Sequence, residues 1–264
     1  MVELESIILA AGYCSRFDFK DSSFKKYMLP VDRSTILNYI IIAMQQAKIE
    51  KINIVVDDKV DVLDISESIL TLAKKLGINI PQLNFIKNCY SERENGYSLF
   101  LGVKEIISEC FILSMADHIF SENIYSNLIK IYKNEDIILA TDPMKIDGIC
   151  DLEDCTKVYG ENLKIKKIGK NLTNYNRLDM GVFIMKSKSI QKISHMLEKE
   201  KNKFGVSDIV LAAISLNLKV NYFDFPNTVW IDVDNDTEYK KIEDFFCKSS
   251  KYSPFNLKFF QKEI

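Results

Sequence analysis

The sequence predicts an α/β fold, with a mostly parallel central sheet flanked by helices and a small β-rich insertion near the middle. Three observations carry this expectation. Over the first 140 residues, short apolar runs alternate with longer stretches of helical periodicity, the pattern of a sheet covered on both faces. Near residue 142 the pattern changes to short β-like pieces before helices return. A chain of 264 residues, 47% apolar and 27% charged, can bury a substantial core without covalent staples. That length suits one large domain or two small ones, and the lack of repeats or a clear linker favours one.

Taken in order, Ser6 to Leu9 reads as a buried strand feeding a loop at Ala10, Ala11 and Gly12. Ser34 is an expected N-cap for a helix carrying Ile36, Tyr39, Ile40 and Ala43. Ile52 to Val56 is β-branched and predicts a second strand. Ile65, Ile69, Leu72 and Leu76 form a helical stripe stopped by Gly77. Strands follow at Leu83 to Ile86, Cys110 to Met115 and Ile137 to Ala140, with helices at 98–108 and 121–132 between them. Thr156 to Tyr159, Leu163 to Ile168 and Gly181 to Met185 are the β-like pieces. Helices at about 187–200 and 206–217, a strand at 220–225 and a helix from about 236 complete the pattern, with Asp236 and Thr237 as its expected cap. The boundaries are a main domain over 1–249, with an acceptor-binding part at about 142–186 that serves as a substrate lid, and a tail over 250–264. The tail packs on the body or on a second subunit, and a homodimer stays open.

Composition excludes several classes. A formal charge of −2 provides no basic field for nucleic acid, although a local phosphate pocket is compatible with it. Six cysteines without CxxC spacing and only two histidines argue against zinc and for free thiols in a reducing compartment. The start, Met1 to Leu9, is a poor secretory leader, and no run approaches the ~20 apolar residues of a membrane span. The expectation is a cytoplasmic protein without a membrane segment.

Two kinds of motif carry chemistry. The first loop, Leu9, Ala10, Ala11 and Gly12 through Ser15 to Arg16, follows a strand and can point backbone N–H groups at a triphosphate. Arg16 adds a fork of donors suited to phosphate oxygens, and Lys25 and Lys26 follow. The loop is neither a Walker loop nor a G-x-G-x-x-G fingerprint. Asp117 and, far along the chain, Asp232 and Asp234 stand at the ends of apolar strands. Carboxylates there suit Mg²⁺ bound to a nucleotide, and the period-two spacing puts Asp232 and Asp234 on one face of a regular strand. Asn88, Asn95, Gly96 and Ser98 lie between a strand and the next helix, where amide and hydroxyl groups can read a base.

The segment from Leu9 to Phe17, with Lys26 to Val31, resembles the signature of the sugar-1-phosphate nucleotidyltransferases, LAAG-x-G-[ST]-R followed by P-K-P-L. Cys14 stands where the family has its second glycine, and Lys25 and Tyr27 replace the flanking prolines. The added Cβ at Cys14 restricts a backbone conformation open to glycine. The resemblance implies a Rossmann-like, GT-A-type fold, with Lys26 as the catalytic lysine and Arg16 holding the leaving pyrophosphate. Asp117 and Asp234 become the metal ligands, with Asp232 as a co-ligand or supporting group. One branch is similar in six motifs from about residue 4 to 245: the inositol-1-phosphate cytidylyltransferases. Those motifs include Glu92 to Ser98, Asp117–His118, Thr156 to Val158, Ile168 to Lys170, Asp179 to Phe183 and Trp230 to Asp234.

That branch implies an Mg²⁺-dependent enzyme joining CTP to inositol 1-phosphate, with release of CDP-inositol and pyrophosphate. Lys157 and Lys170 are the expected holders of the acceptor phosphate, and Asp179 of ring hydroxyls. Many branch members are fused to a membrane-embedded CDP-alcohol transferase, so a downstream enzyme of that kind is expected on a separate chain. Two alternatives stay open: a cytidylyl- or uridylyltransferase for another acceptor, such as phosphocholine or a sugar 1-phosphate, and a non-catalytic nucleotide-binding protein.

Overall fold

The computed structural model describes residues 4–12, 17, 25–31, 34–143 and 152–248. In chain order the strands are β1 (Glu5–Ala10), β2 (Pro30–Val31), β3 (Ser34–Thr35), β4 (Lys51–Asp57), β5 (Gln82–Asn88), β6 (Cys110–Met115), β7 (His118–Phe120), β8 (Ile137–Asp142), β9 (Lys157–Glu161), β10 (Lys164–Gly169), β11 (Arg177–Lys186), β12 (Val220–Asp224) and β13 (Trp230–Asp232). The α-helices are α1 (Ile36–Gln46), α2 (Val62–Leu76), α3 (Asn95–Val103), α4 (Ile124–Ile131), α5 (Ser187–Glu200), α6 (Val206–Ser215) and α7 (Asp236–Lys248).

Among the described residues, nine strands form one sheet in the order β5-β4-β1-β6-β11-β8-β12-β10-β9. β10 and β11 run against the other strands, so the sheet is mixed but mostly of one direction. The expected β-rich insertion is a hairpin, β9–β10, paired onto β11 and β12 of the same sheet. Its two-residue turn, Asn162–Leu163, has positive φ at both positions, the mirror-image turn that matches strand twist. Leu163, expected as the first strand residue, is therefore a turn residue.

Alternation along β1 shows how the sheet is covered. Ile8 and Ala10 face one apolar cluster, with α1, α2 and α4, while Ile7 and Leu9 face the other, with α3, α5 and α6. The side-chain period of two thus buries both faces of the strand.

Helix ends depart from the sequence expectation for local reasons. Thr35, not Ser34, caps α1, its hydroxyl accepting from Asn38 N, while Ser34 belongs to β3. Asn235 caps α7 by accepting from Glu238 N, and Asp236 and Thr237 fall in the first turn. Gly77 ends α2 in the left-handed conformation, as its position predicts. The helix expected over 98–108 begins earlier, at Asn95, and stops at Val103. Beyond it the chain is captured by Glu5, whose carboxylate accepts from Ile107 N at 2.6 Å and Ser108 N at 2.9 Å and pairs with Lys51 at 2.7 Å.

Burial pushes the Glu5 carboxyl pKa up, but Lys51 and the two backbone donors outweigh it, and the net shift is downward. Glu5→Gln is expected to destabilise the protein by about 1–3 kcal/mol at neutral pH, read from denaturant unfolding. A depressed folded pKa gives stability that is full above the unfolded value, about 4.3, and is lost as pH falls through the folded value. The gap between wild type and variant should therefore close in acid, and a gap that is constant from neutral to low pH would contradict this account.

Candidate active site

The strand order creates the cleft. From β1 the chain moves outward to β4 and β5, then returns to place β6 on the other side of β1. In open α/β sheets such a reversal opens a crevice at the carboxyl ends of the two diverging strands. Here those ends are Leu9 to Gly12 after β1 and Met115 to Asp117 after β6, tied by Ala116 N donating to Leu9 O. They line a cleft of about 970 Å³.

A small two-stranded sheet then delivers the distant acids. β7 pairs antiparallel with β13, setting His118 opposite Asp232. Val233 N donates to Asp117 O, continuing the pairing by one step. Trp230 anchors β13 through its indole N–H to Asp142 Oδ2 at 2.9 Å, and its ring stacks on His118 with centroids 5.7 Å apart. Downstream, Asp234 N donates to the buried Glu238 carboxylate.

Lys26 enters from a single 3₁₀ turn, Lys26–Met28, whose Tyr27 is buried in the core. Its ammonium lies 2.5 Å from Asp117 Oδ2 and 2.5 Å from Asp234 Oδ1. Burial lowers the Lys26 pKa, but Asp117, Asp234 and Asp232 more than reverse this, so the lysine stays charged. Burial likewise raises Asp117, and Lys26 and His118 together bring it below the ordinary carboxylate range. His118 Nδ1 is 2.6 Å from Asp117 Oδ1 and 3.6 Å from Asp232 Oδ1. Against the cost of its burial, Asp232 and Asp117 push the imidazole up to about 9. Burial and the neighbouring carboxylates raise Asp232, whose Oδ1 is buried without a hydrogen-bond partner.

The remaining candidates distribute around this centre. Leu9, Ala10, Ala11 and Gly12 line the cleft, whereas Ser15 and Arg16 lie outside the described residues. Asn95, Ser98, Lys170, Asp179, Asp232 and Asp234 also line it. Asn88 lies outside that lining: its amide donates to Ser98 Oγ and its oxygen accepts from Tyr90 N. Asn95 Oδ1 accepts from Val206 N and so links the starts of α3 and α6. Gly96 donates to Phe204 O, where any Cβ would come within 2.5 Å of that oxygen. Lys157 also lies outside the lining and donates to Lys170 O at 2.8 Å. Burial lifts the Asp179 carboxyl to about 6 although it accepts from Gly181 N.

His118 was assigned no role in the sequence, yet it braces the acid cluster. Asp117, His118 and Asp232 offer ligand atoms within 4.8 Å of one another. The available signal was modest: one of only two histidines, directly after an acid at a strand end. Glu94, also on the cleft, holds φ 72 and ψ 177, a region costly for a residue with a side chain.

Residues 6–201 match the MobA-like NTP transferase domain. The chain belongs to the MobA-like NTP transferase family. Within it, the chain is similar to a protein of Thermococcus kodakarensis named bifunctional IPC transferase and DIPP synthase, 29% identical over 241 residues, 91% of this chain and 50% of the relative. A protein of the same name from Aquifex aeolicus is 29% identical over 255 residues, 95% of this chain and 53% of the relative. The chain thus spans about half the length of these curated relatives. Among solved structures, the inositol-1-phosphate CTP transferase from T. maritima superposes with a TM-score of 0.76 at 24% identity, covering 94% of this chain and 96% of that one. A UDP-glucose pyrophosphorylase complexed with UDP-glucose gives 0.74 at 17% identity, covering 94% and 99%. These likenesses establish the nucleotidyltransferase fold expected from the first loop of this MobA-like chain.

Gly181 tests the packing behind the centre. It has φ +71, and a Cβ there would lie 2.9 Å from both the His118 ring and the Met115 side chain. Gly181→Ala is expected to destabilise the protein by about 1–3 kcal/mol in denaturant melts, from the left-handed backbone and the displaced ring together. An unchanged midpoint would show that His118 is not held by this contact.

Proposed function

We propose that this chain transfers a cytidylyl group from CTP to inositol 1-phosphate, giving CDP-inositol and pyrophosphate. The observation that carries this reading is the convergence of Lys26, Asp117 and Asp234 in the cleft lined by Leu9 to Gly12. Family membership supports the nucleotidyl transfer. The choice of CTP and inositol 1-phosphate is supported by the names of the relatives and of the T. maritima neighbour.

The donor set suits a divalent cation. One oxygen of Asp117 and one of Asp234 already converge on a single positive charge, and Asp232 presents a buried oxygen with no hydrogen-bond partner. Asp117, Asp234 and Asp232 would hold Mg²⁺, which neutralises phosphate charge when bound.

In the reaction, an acceptor phosphate oxygen forms a bond to the α-phosphorus of CTP. The bond from the α-phosphorus to the bridging oxygen breaks, and the electron pair leaves on pyrophosphate. The nucleophile is already anionic, so no general base is required. The protein's part is positioning and charge compensation. Lys26 donates to the α-phosphate oxygens as negative charge accumulates. Backbone N–H groups of the first loop steer the triphosphate. Asp179, at the end of the cleft bounded by the β9–β10 hairpin, accepts from acceptor hydroxyls, and Lys170 attracts the acceptor phosphate.

A cytoplasmic setting is supported by the free thiols of Cys89 and Cys110. No described helix is long and apolar enough to cross a membrane.

The test is a pyrophosphate-release screen of each nucleoside triphosphate against inositol 1-phosphate, phosphocholine and sugar 1-phosphates. CTP with inositol 1-phosphate should give the highest kcat/KM, and a different preferred pair would replace the substrates named here. Lys26→Ala should lower kcat by about 10²–10³-fold, the loss expected for one preorganised donor to transition-state charge, with a much smaller change in CTP affinity. Near-normal turnover in that variant would remove Lys26 from the mechanism.

A further inference from the structure

The geometry points to Lys26 as a built-in counter-cation that must leave Asp117 and Asp234 before a divalent metal can settle on them, so that metal capture is coupled to arrival of a nucleotide polyphosphate. The inference rests on the proposed nucleotidyl-transfer reading for the presence of metal and nucleotide.

The oxygens a metal needs are already in use. Asp117 Oδ1 is committed to His118 at 2.6 Å, leaving Oδ2, and Oδ2 is the atom that Lys26 holds at 2.5 Å. On Asp234, Oδ1 is held by the same ammonium, also at 2.5 Å. Asp232 Oδ1 has no hydrogen-bond partner. One oxygen on each of Asp117 and Asp234 is thus occupied by the ammonium, and a cation that takes one or two carboxylates together with substrate phosphates would have to displace it to use both.

A metal and an ammonium cannot share these oxygens, because the two cations repel at contact distance in a cleft where water screens little. The Lys26 side chain is only 14% exposed, so leaving both carboxylates without a replacement would strand a largely buried charge. It needs another anion within reach. A triphosphate on the Leu9 to Gly12 loop brings that anion into the same cleft. Its oxygens would receive the ammonium, leaving Asp117 and Asp234 to hold the metal, which would supply charge neutralisation to the phosphates. Without nucleotide the lysine guards the acids; with nucleotide it moves to the phosphate that it serves in the reaction. The exchange is a change of ionic partners and breaks no covalent bond. Linkage makes the effect reciprocal: whatever the lysine costs the metal in affinity, the metal costs the lysine in pairing.

The experiment is a Mn²⁺ titration of the full chain followed by electron paramagnetic resonance, first without nucleotide and then with CTP. Wild type is compared with Lys26→Met and Lys26→Arg, and Lys26→Gln gives the same readout should the methionine variant fold poorly. Without nucleotide, K26M is expected to bind Mn²⁺ at least ~10-fold more tightly than wild type, within the range typical of coupled sites. K26R, which keeps the charge, should stay close to wild type. Equal or weaker Mn²⁺ binding by both K26M and K26Q overturns the exchange, because a lysine that merely positions the acids would lower affinity when removed. Failure of every protein to bind Mn²⁺ even with CTP removes the metal site of the proposed function, and the exchange with it. Tighter Mn²⁺ binding by K26M, together with no pyrophosphate release by the wild-type protein from any substrate pair, keeps the exchange and discards the transfer reaction.

Discussion

The Lys26 ammonium allows three carboxylates to share one cleft. Asp117 and Asp234 stand close enough to Asp232 to raise its carboxyl, and all three acids act on Lys26. Left alone, such a group would take up protons or move apart, since like charges in a partly dry environment cannot all remain ionised. Lys26 touches two of the three, and His118 holds the first from its other oxygen. Each cation is in turn kept charged by the acids it serves, despite burial that works against it. The cluster is therefore mutually dependent: breaking one buried partner leaves an uncompensated charge, which is far more costly than the pair is stabilising.

The fold's contribution is to make this cluster geometrically unavoidable. The reversal at β1 and β6 opens the crevice, and the β7–β13 pair closes a gap of more than a hundred residues in sequence between His118 and Asp232. The Trp230 indole, bonded to Asp142 and stacked on His118, ties that pair to the end of β8. Gly181 permits β11 to pass against the His118 ring where a side chain would not fit. These contacts set where the acids stand. A shift of one ångström among them would reach the acid cluster directly.

Likeness to characterised proteins divides along the same line. The fold superposes on nucleotidyltransferases of differing substrate at 17–24% identity, because the sheet and its crevice are shared. Loops and hairpins of this chain surround the crevice. On one side Asn95 ties α3 to α6, and on the other the β9–β10 hairpin extends the sheet beyond β12. One fold can host several functions, so the shared architecture by itself does not fix the acceptor.

Much of this was legible in the sequence. The run at Ser6 to Leu9, the stripe Ile65 to Leu76 with Gly77 after it, and the strand at Cys110 to Met115 announce themselves through local periodicity and turn chemistry, which depend only on neighbours in the chain. The acids could be noticed because a charge at the end of an apolar strand is locally anomalous. What the sequence could not decide was partnership. Asn88 looks like a ligand residue by composition, yet the fold spends both ends of its amide on Ser98 and Tyr90. His118 looks unremarkable and becomes a brace between two carboxylates. The chain beyond α3 is held by Glu5, about a hundred residues earlier. Local propensity is written in a window of a few residues, whereas hydrogen-bond partners and charge compensation depend on which distant segments the closed sheet brings within a few ångströms, and only the tertiary structure supplies that distance.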